Sequence, residues 1–142
     1  MSLDTKLLLL AVAAQAFLTM ALGIRMAVLR GKDLRAGLDL QSIALREPRW
    51  SQRTTQVGYS FSNQFELPVL FYVVAILFIV ALRPDLFVVV LAWIFVVSRI
   101  VHAWIHTGSN IVRLRGAAYG VGVIAVSLMW IYFVFELLML PG

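Results

Sequence analysis

Four apolar stretches, at about residues 5–29, 54–82, 86–107 and 116–140, are each as long as a bilayer core is thick. A helix needs about 20 apolar residues to cross a hydrocarbon core ~30 Å thick. In that core every backbone polar group must be satisfied within the protein, which leaves helices as the natural solution. The chain is therefore predicted to be an all-α integral membrane protein, a single four-helix domain over residues 1–142 with a polar connection over 30–53. Composition points the same way. Of the 142 residues 62% are hydrophobic and 13% charged, and the mean hydropathy is +0.94, beyond the apolar share of an ordinary soluble domain. Cysteine is absent, so disulfides and cysteine metal sites are excluded and any thiol must come from a ligand. With no soluble domain, basic tail or nucleic-acid motif, nucleic acid is not an expected partner.

The first stretch has some features of a signal peptide, with Leu7–Ala14 as an apolar core and Ala14-Gln15-Ala16 as a cleavage site. Asp4 beside Lys6, and an apolar run that continues past that site, favour a retained spanning helix. Gln15 then reads as a helix–helix hydrogen bond. The connection carries Arg30, Lys32, Arg35, Arg46, Arg49 and Arg53, and Gly31, Gly37 and Pro48 argue against one straight helix there. Leu38, Leu40, Ile43, Leu45 and Trp50 suit it to the membrane interface. Arg113 and Arg115 follow the third stretch, whereas Lys6 and Arg83 alone occupy the other side. By the positive-inside rule the basic loops are expected in the cytoplasm and both termini on the opposite side.

Polar residues interrupt the second and third stretches in an ordered way. Gln56, Tyr59, Asn63 and Glu66 are spaced three, four and three apart, and Arg99, His102, His106, Asn110 and Arg113 three, four, four and three. Each set falls on one helical face. Arg83-Pro84-Asp85 is a tight connection between the two helices, because a residue before proline disfavours the helical region. Counted from Pro84, Glu66 and His102 each lie eighteen residues away, Asn63 and His106 twenty-one and twenty-two, Tyr59 and Asn110 twenty-five and twenty-six. An antiparallel hairpin would bring these pairs to matching depths. Arg99 would sit about 20 Å into the core, where a charge costs roughly 2.5–3.5 kcal/mol unless it faces protein or water. A Glu66–Arg99 or Glu66–His102 bridge would meet that need structurally. Nine polar positions on two facing stripes also describe a pocket open to the cytoplasm, and the two readings are compatible.

His102 and His106 have the i, i+4 spacing of two metal ligands, but no third ligand accompanies them, so no metal is expected. Both histidines lie on one helix, which also argues against a haem held from two helices. Arg113 and Arg115 flank the start of the fourth helix, where unpaired N–H groups add positive potential suited to an anion. Arginine in that setting lowers a thiol's pKa. Gly116, Gly120 and Gly122 permit close helix contact, and Glu136 reads as interfacial.

Two stretches resemble the MAPEG superfamily, the membrane-associated proteins in eicosanoid and glutathione metabolism that include microsomal glutathione transferases and prostaglandin E synthase. Asn63-Gln64-Phe65-Glu66-Leu67-Pro68 is similar to the family's Asn-x-x-Glu followed closely by Pro. Arg99-x-x-His102-x-x-x-His106, continuing to Arg115 and Tyr119, is similar to the prostaglandin E synthase pattern. The resemblance implies a homotrimer of four-helix subunits, of bacterial type and placed in an inner membrane, that binds glutathione between neighbouring subunits near the cytoplasmic face. It places Asn63, Glu66, Arg99, His102 and His106 in the glutathione site, Arg115 at the thiolate, Tyr119 beside it, and Arg30 as a looser match to a glutathione-contacting arginine. Tyr59 and Arg113, on the same stripes, complete the candidate set. Three positions depart from the pattern. His106 stands where the compared enzyme has tyrosine, Tyr59 where members often have arginine, and one residue rather than two separates Glu66 from Pro68.

The expected function is a glutathione-dependent membrane transferase or peroxidase acting on lipophilic electrophiles or hydroperoxides, with Arg115 as the catalytic residue. The alternative, motivated by Tyr59 and His106, is a non-catalytic accessory or lipid-binding protein on the same scaffold. A third reading is a small transporter or proton path through Glu66, Arg99 and His102.

Overall fold

The computed structural model describes residues 1–44 and 49–140; Leu45, Arg46, Glu47 and Pro48 of the connection and the terminal Pro141-Gly142 lie outside the described residues. Among the described residues five α-helices build four membrane-length spans and no strand is present. Helix α1 runs from Leu3 to Arg35. Its start is capped by the Ser2 hydroxyl, which accepts from the Thr5 N–H at 3.2 Å. The helix passes straight through Gly31, which costs only about 1 kcal/mol in a helix interior. It stops at Gly37, whose φ of +98° a side chain would resist. There the Gly37 N–H donates to Leu34 O at 3.1 Å and the Leu38 N–H to Asp33 O at 3.2 Å, a Schellman closure. A short 3₁₀ turn, Leu40–Ile43, follows.

The second span is not the uninterrupted helix expected over 54–82. It consists of α2 (Gln52–Ser62), a 3₁₀ turn over Asn63–Phe65, and α3 (Leu67–Ala81). Proline explains the break. Pro68 has no N–H for the Gln64 carbonyl, and in a continuous helix its ring would collide with that carbonyl; it is tolerated in the first turn of α3. The chain leaves the helix at Glu66, with φ −102° and ψ −103°.

Helix α4, Leu86–Thr107, is the most buried of the spans and packs chiefly on α5 (Val112–Met139) and α1. Asp85 begins it twice over: one carboxylate oxygen accepts from the Val88 N–H at 3.0 Å, and the other accepts from the Tyr132 hydroxyl at 2.7 Å. The core lies between α3, α4 and α5, where Phe71 stacks on Phe95 with centroids 4.5 Å apart and Phe78 meets Phe133 edge-on at 5.4 Å. Helix α5 begins at Val112, so Arg113 and Arg115 stand inside its first turn rather than flanking a start at Gly116. Of the three glycines, Gly122 alone faces a close neighbour: a Cβ there would meet Ser98 Oγ at 2.7 Å, while Gly116 and Gly120 face open space. A polar layer crosses from α1 to α2. Buried Gln15 donates to Gln64 Oε1 at 2.9 Å, and Gln64 donates to the Ser60 carbonyl at 3.0 Å. The remaining large apolar side chains, such as Val80, Trp104 and Ile131, point outward, as a bilayer requires.

Candidate functional site

The site is built where the broken second span meets the last two turns of α4. Arg99 is fully buried, 0% exposed. Its Nη2 donates to the Asn63 carbonyl at 3.1 Å, which the 3₁₀ turn leaves turned toward α4. Its guanidinium lies 5.4 Å from the centre of the Tyr119 ring, within cation–π range. Asn63 also reaches His102, with Nδ2 3.4 Å from Nε2. On the other side of that ring, Nδ1 is 3.1 Å from the Arg115 carbonyl. A carbonyl can only accept, so the Nδ1–H donates to the Arg115 carbonyl, which leaves Nε2 facing the Asn63 amide. His106 stands edge-on to His102, centroids 5.5 Å apart.

The loop between α4 and α5 completes the cluster. Asn110 adopts φ +52°, a left-handed geometry that asparagine tolerates, and its side-chain carbonyl accepts from Arg115 Nη1. Gln56 donates from α2 to the carbonyls of His106 and, at 3.2 Å, Gly108. Those carbonyls belong to the end of α4, where the last C=O groups have no helical partner. Gln56, Tyr59, His106, Asn110 and Arg115 line a cleft of about 400 Å³.

The pairing differs from the one counted along the hairpin. Asn63 rather than Glu66 meets His102, an offset of about one helical turn, and Gln56 rather than Asn63 meets the His106 backbone, an offset of about two. A straight helix would have kept the count; the interruption between Asn63 and Glu66 does not. Neither expected bridge forms. Glu66 is exposed, both His102 nitrogens are engaged elsewhere, and Arg99 Nε and Nη1 have no partner. Glu66 is the residue at which the chain leaves the helix, and its side chain is exposed rather than paired with Arg99. Tyr59 rims the cleft, 57% exposed. Arg113 is exposed, and Arg30 stacks its guanidinium over Trp50 at 5.1 Å, so neither is drawn into the cluster.

The structure thus joins Asn63, Arg99, His102, Arg115 and Tyr119, sets Tyr59 and His106 at the adjoining cleft, and leaves Arg30, Glu66 and Arg113 outside. Asn110 and Gln56 act as supports from the loop and α2. Gln64 was overlooked in the sequence, although two amides in apolar spans, Gln15 and Gln64, were a signal that they would meet. Among the described residues no group of three or more His, Cys, Asp or Glu side chains could hold a metal.

Arg99 Nε and Nη1 and His106 Nδ1 are buried without hydrogen-bond partners. An unpartnered buried donor costs about 1–3 kcal/mol, more when charged. The arrangement is therefore rich in donors and suited to an anionic, multiply accepting molecule. A tripeptide bearing two carboxylates and a thiol has that chemistry, and the residues present fit it. No curated protein and no solved structure matches the chain. The model of the MAPEG family matches residues 8–135 of the 142. With four membrane-length helices and a match over nearly its whole length, the chain belongs to the MAPEG family of membrane proteins associated with glutathione-related chemistry.

Proposed function

We propose that the protein is a glutathione-dependent membrane transferase or peroxidase, assembled as a homotrimer with its basic loops in the cytoplasm. The observation that carries the reading is the buried, two-thirds unpartnered guanidinium of Arg99 at the centre of a donor-rich cluster. Arg99 would hold a carboxylate, bidentate pairing being what guanidinium does best. Gln56, Tyr59 and His106 would orient the peptide in the cleft. Bound glutathione supplies the sulfur nucleophile. Arg115, held by Asn110, would lie against the sulfur and favour its ionised form. The exposed charge of Glu66, costly against lipid, would be covered by a neighbouring subunit.

Replacing Arg115 by Ala tests the assignment. Thiolate absorbance and conjugation to a chlorinated aromatic probe should both be lost, and unchanged conjugation would refute the role. One observation favours a second reading, a non-catalytic accessory or lipid-binding subunit: Arg115 is already engaged through its carbonyl with His102 and through Nη1 with Asn110. On that reading, thermal stability in detergent would not respond to millimolar glutathione.

A further inference from the structure

We propose that the groove between α1 and α4 at the basic end of the bundle is a binding site for an anionic phospholipid, a site separate from the glutathione cluster. Two arginines head it. Arg25 comes from α1 and Arg53 from the first turn of α2, and below them the walls are apolar, with Leu22 and Ile100 among the residues enclosing about 590 Å³. Its depth is set by a contact. Arg25 Nη1 donates to the hydroxyl of Thr107, the last residue of α4, at 2.9 Å. Arg25 is therefore level with the membrane end of α4, although α1 itself runs ten residues further, to Arg35, about 15 Å beyond.

Trp104 marks the same level. It lines the groove and is 79% exposed, as an indole at the headgroup boundary would be. The two cations thus sit at headgroup depth, while the walls beneath them descend into the acyl region. A phosphodiester with an attached chain matches both halves. Among the described residues no carboxylate lines the groove. The described acids of this end, Asp33 and Asp39, already accept from the backbone N–H groups of Ser51 and Gln41. A soluble anion would leave the apolar walls bare, whereas a phosphodiester with acyl chains fills both halves of the groove.

Native mass spectrometry of the purified full-length protein in mixed micelles of phosphatidylglycerol and phosphatidylcholine tests the site. Wild type should retain phosphatidylglycerol over phosphatidylcholine by a factor on the order of ten. The Arg25→Gln/Arg53→Gln variant should lose that preference. Lys32→Gln/Arg35→Gln, which removes the same charge from the exposed end of α1, should keep it. Glycerol phosphate, the headgroup without chains, should not compete. Equal loss in both double variants would reduce the effect to net charge and overturn the proposal. So would competition by glycerol phosphate, or a change of oligomer mass in Arg25→Gln/Arg53→Gln with lipid retention unaltered, which would make the groove a contact between copies. Helicity by circular dichroism confirms that each variant is folded, and since none of these residues belongs to the glutathione cluster, failure here leaves that reading standing.

Discussion

Arg99 is the residue on which the chemistry turns, because a fully buried guanidinium with two free donors is a liability in a protein that uses it only for packing. Removing one partner of a satisfied buried pair costs several kcal/mol, whereas replacing a poorly satisfied charge by an apolar side chain of similar size is often neutral. Arg99→Met should therefore destabilise the ligand-free protein by no more than about 3 kcal/mol, the upper value of its one charge-assisted hydrogen bond to Asn63. The same change should abolish any stabilisation by glutathione. Thermal unfolding in detergent with and without the peptide measures both, and a large loss in ligand-free stability would instead assign Arg99 to the scaffold. His102, Arg99 and Asn63 were legible as candidates because polar residues are rare in apolar spans and these shared faces. Which of them would touch was not legible. A contact at 3 Å depends on register, and Asn63 reached His102 only because the chain unwinds between it and Pro68.

Among the elements, α4 is held to its neighbours by two small features. Gly122 lets α5 approach so closely that a methyl group there would lie 2.7 Å from Ser98 Oγ, a hydroxyl already donating to the Phe95 carbonyl at 2.7 Å. Overpacking of this kind costs about 1–3 kcal/mol, so Gly122→Ala should lower the unfolding temperature. Gly120→Ala, which meets nothing within the subunit, should not. At the opposite end the Tyr132 hydroxyl donates to Asp85 while Asp85 caps α4. Tyr132→Phe removes one hydrogen bond and no packing, and should cost about 0.5–1.5 kcal/mol by the same measurement. The spans themselves were plain in the hydrophobic runs. The break in the second was signalled by Pro68, yet proline is tolerated within membrane helices when neighbours satisfy the freed groups. Proline alone therefore does not say whether the chain bends or leaves the helix, and here it leaves at Glu66, two residues before Pro68.

At the scale of the whole molecule, four apolar spans and two polar stripes were enough to predict a membrane bundle with a buried polar site, because lipid leaves a polar side chain few places to go. The polar connection carries no such constraint. Arg30, assigned to the glutathione site by likeness alone, lies within α1 and stacks on Trp50, and the way Arg25 and Arg53 converge on a groove had no periodic signal to announce it. The central claim is that the donors gathered around Arg99 and Arg115 form a glutathione site. Isothermal titration of the purified protein with glutathione tests it most directly. Saturable binding in the wild type, lost in Arg99→Met and weakened in Arg115→Ala, is the expected result; no heat of binding in the folded wild-type protein would contradict it.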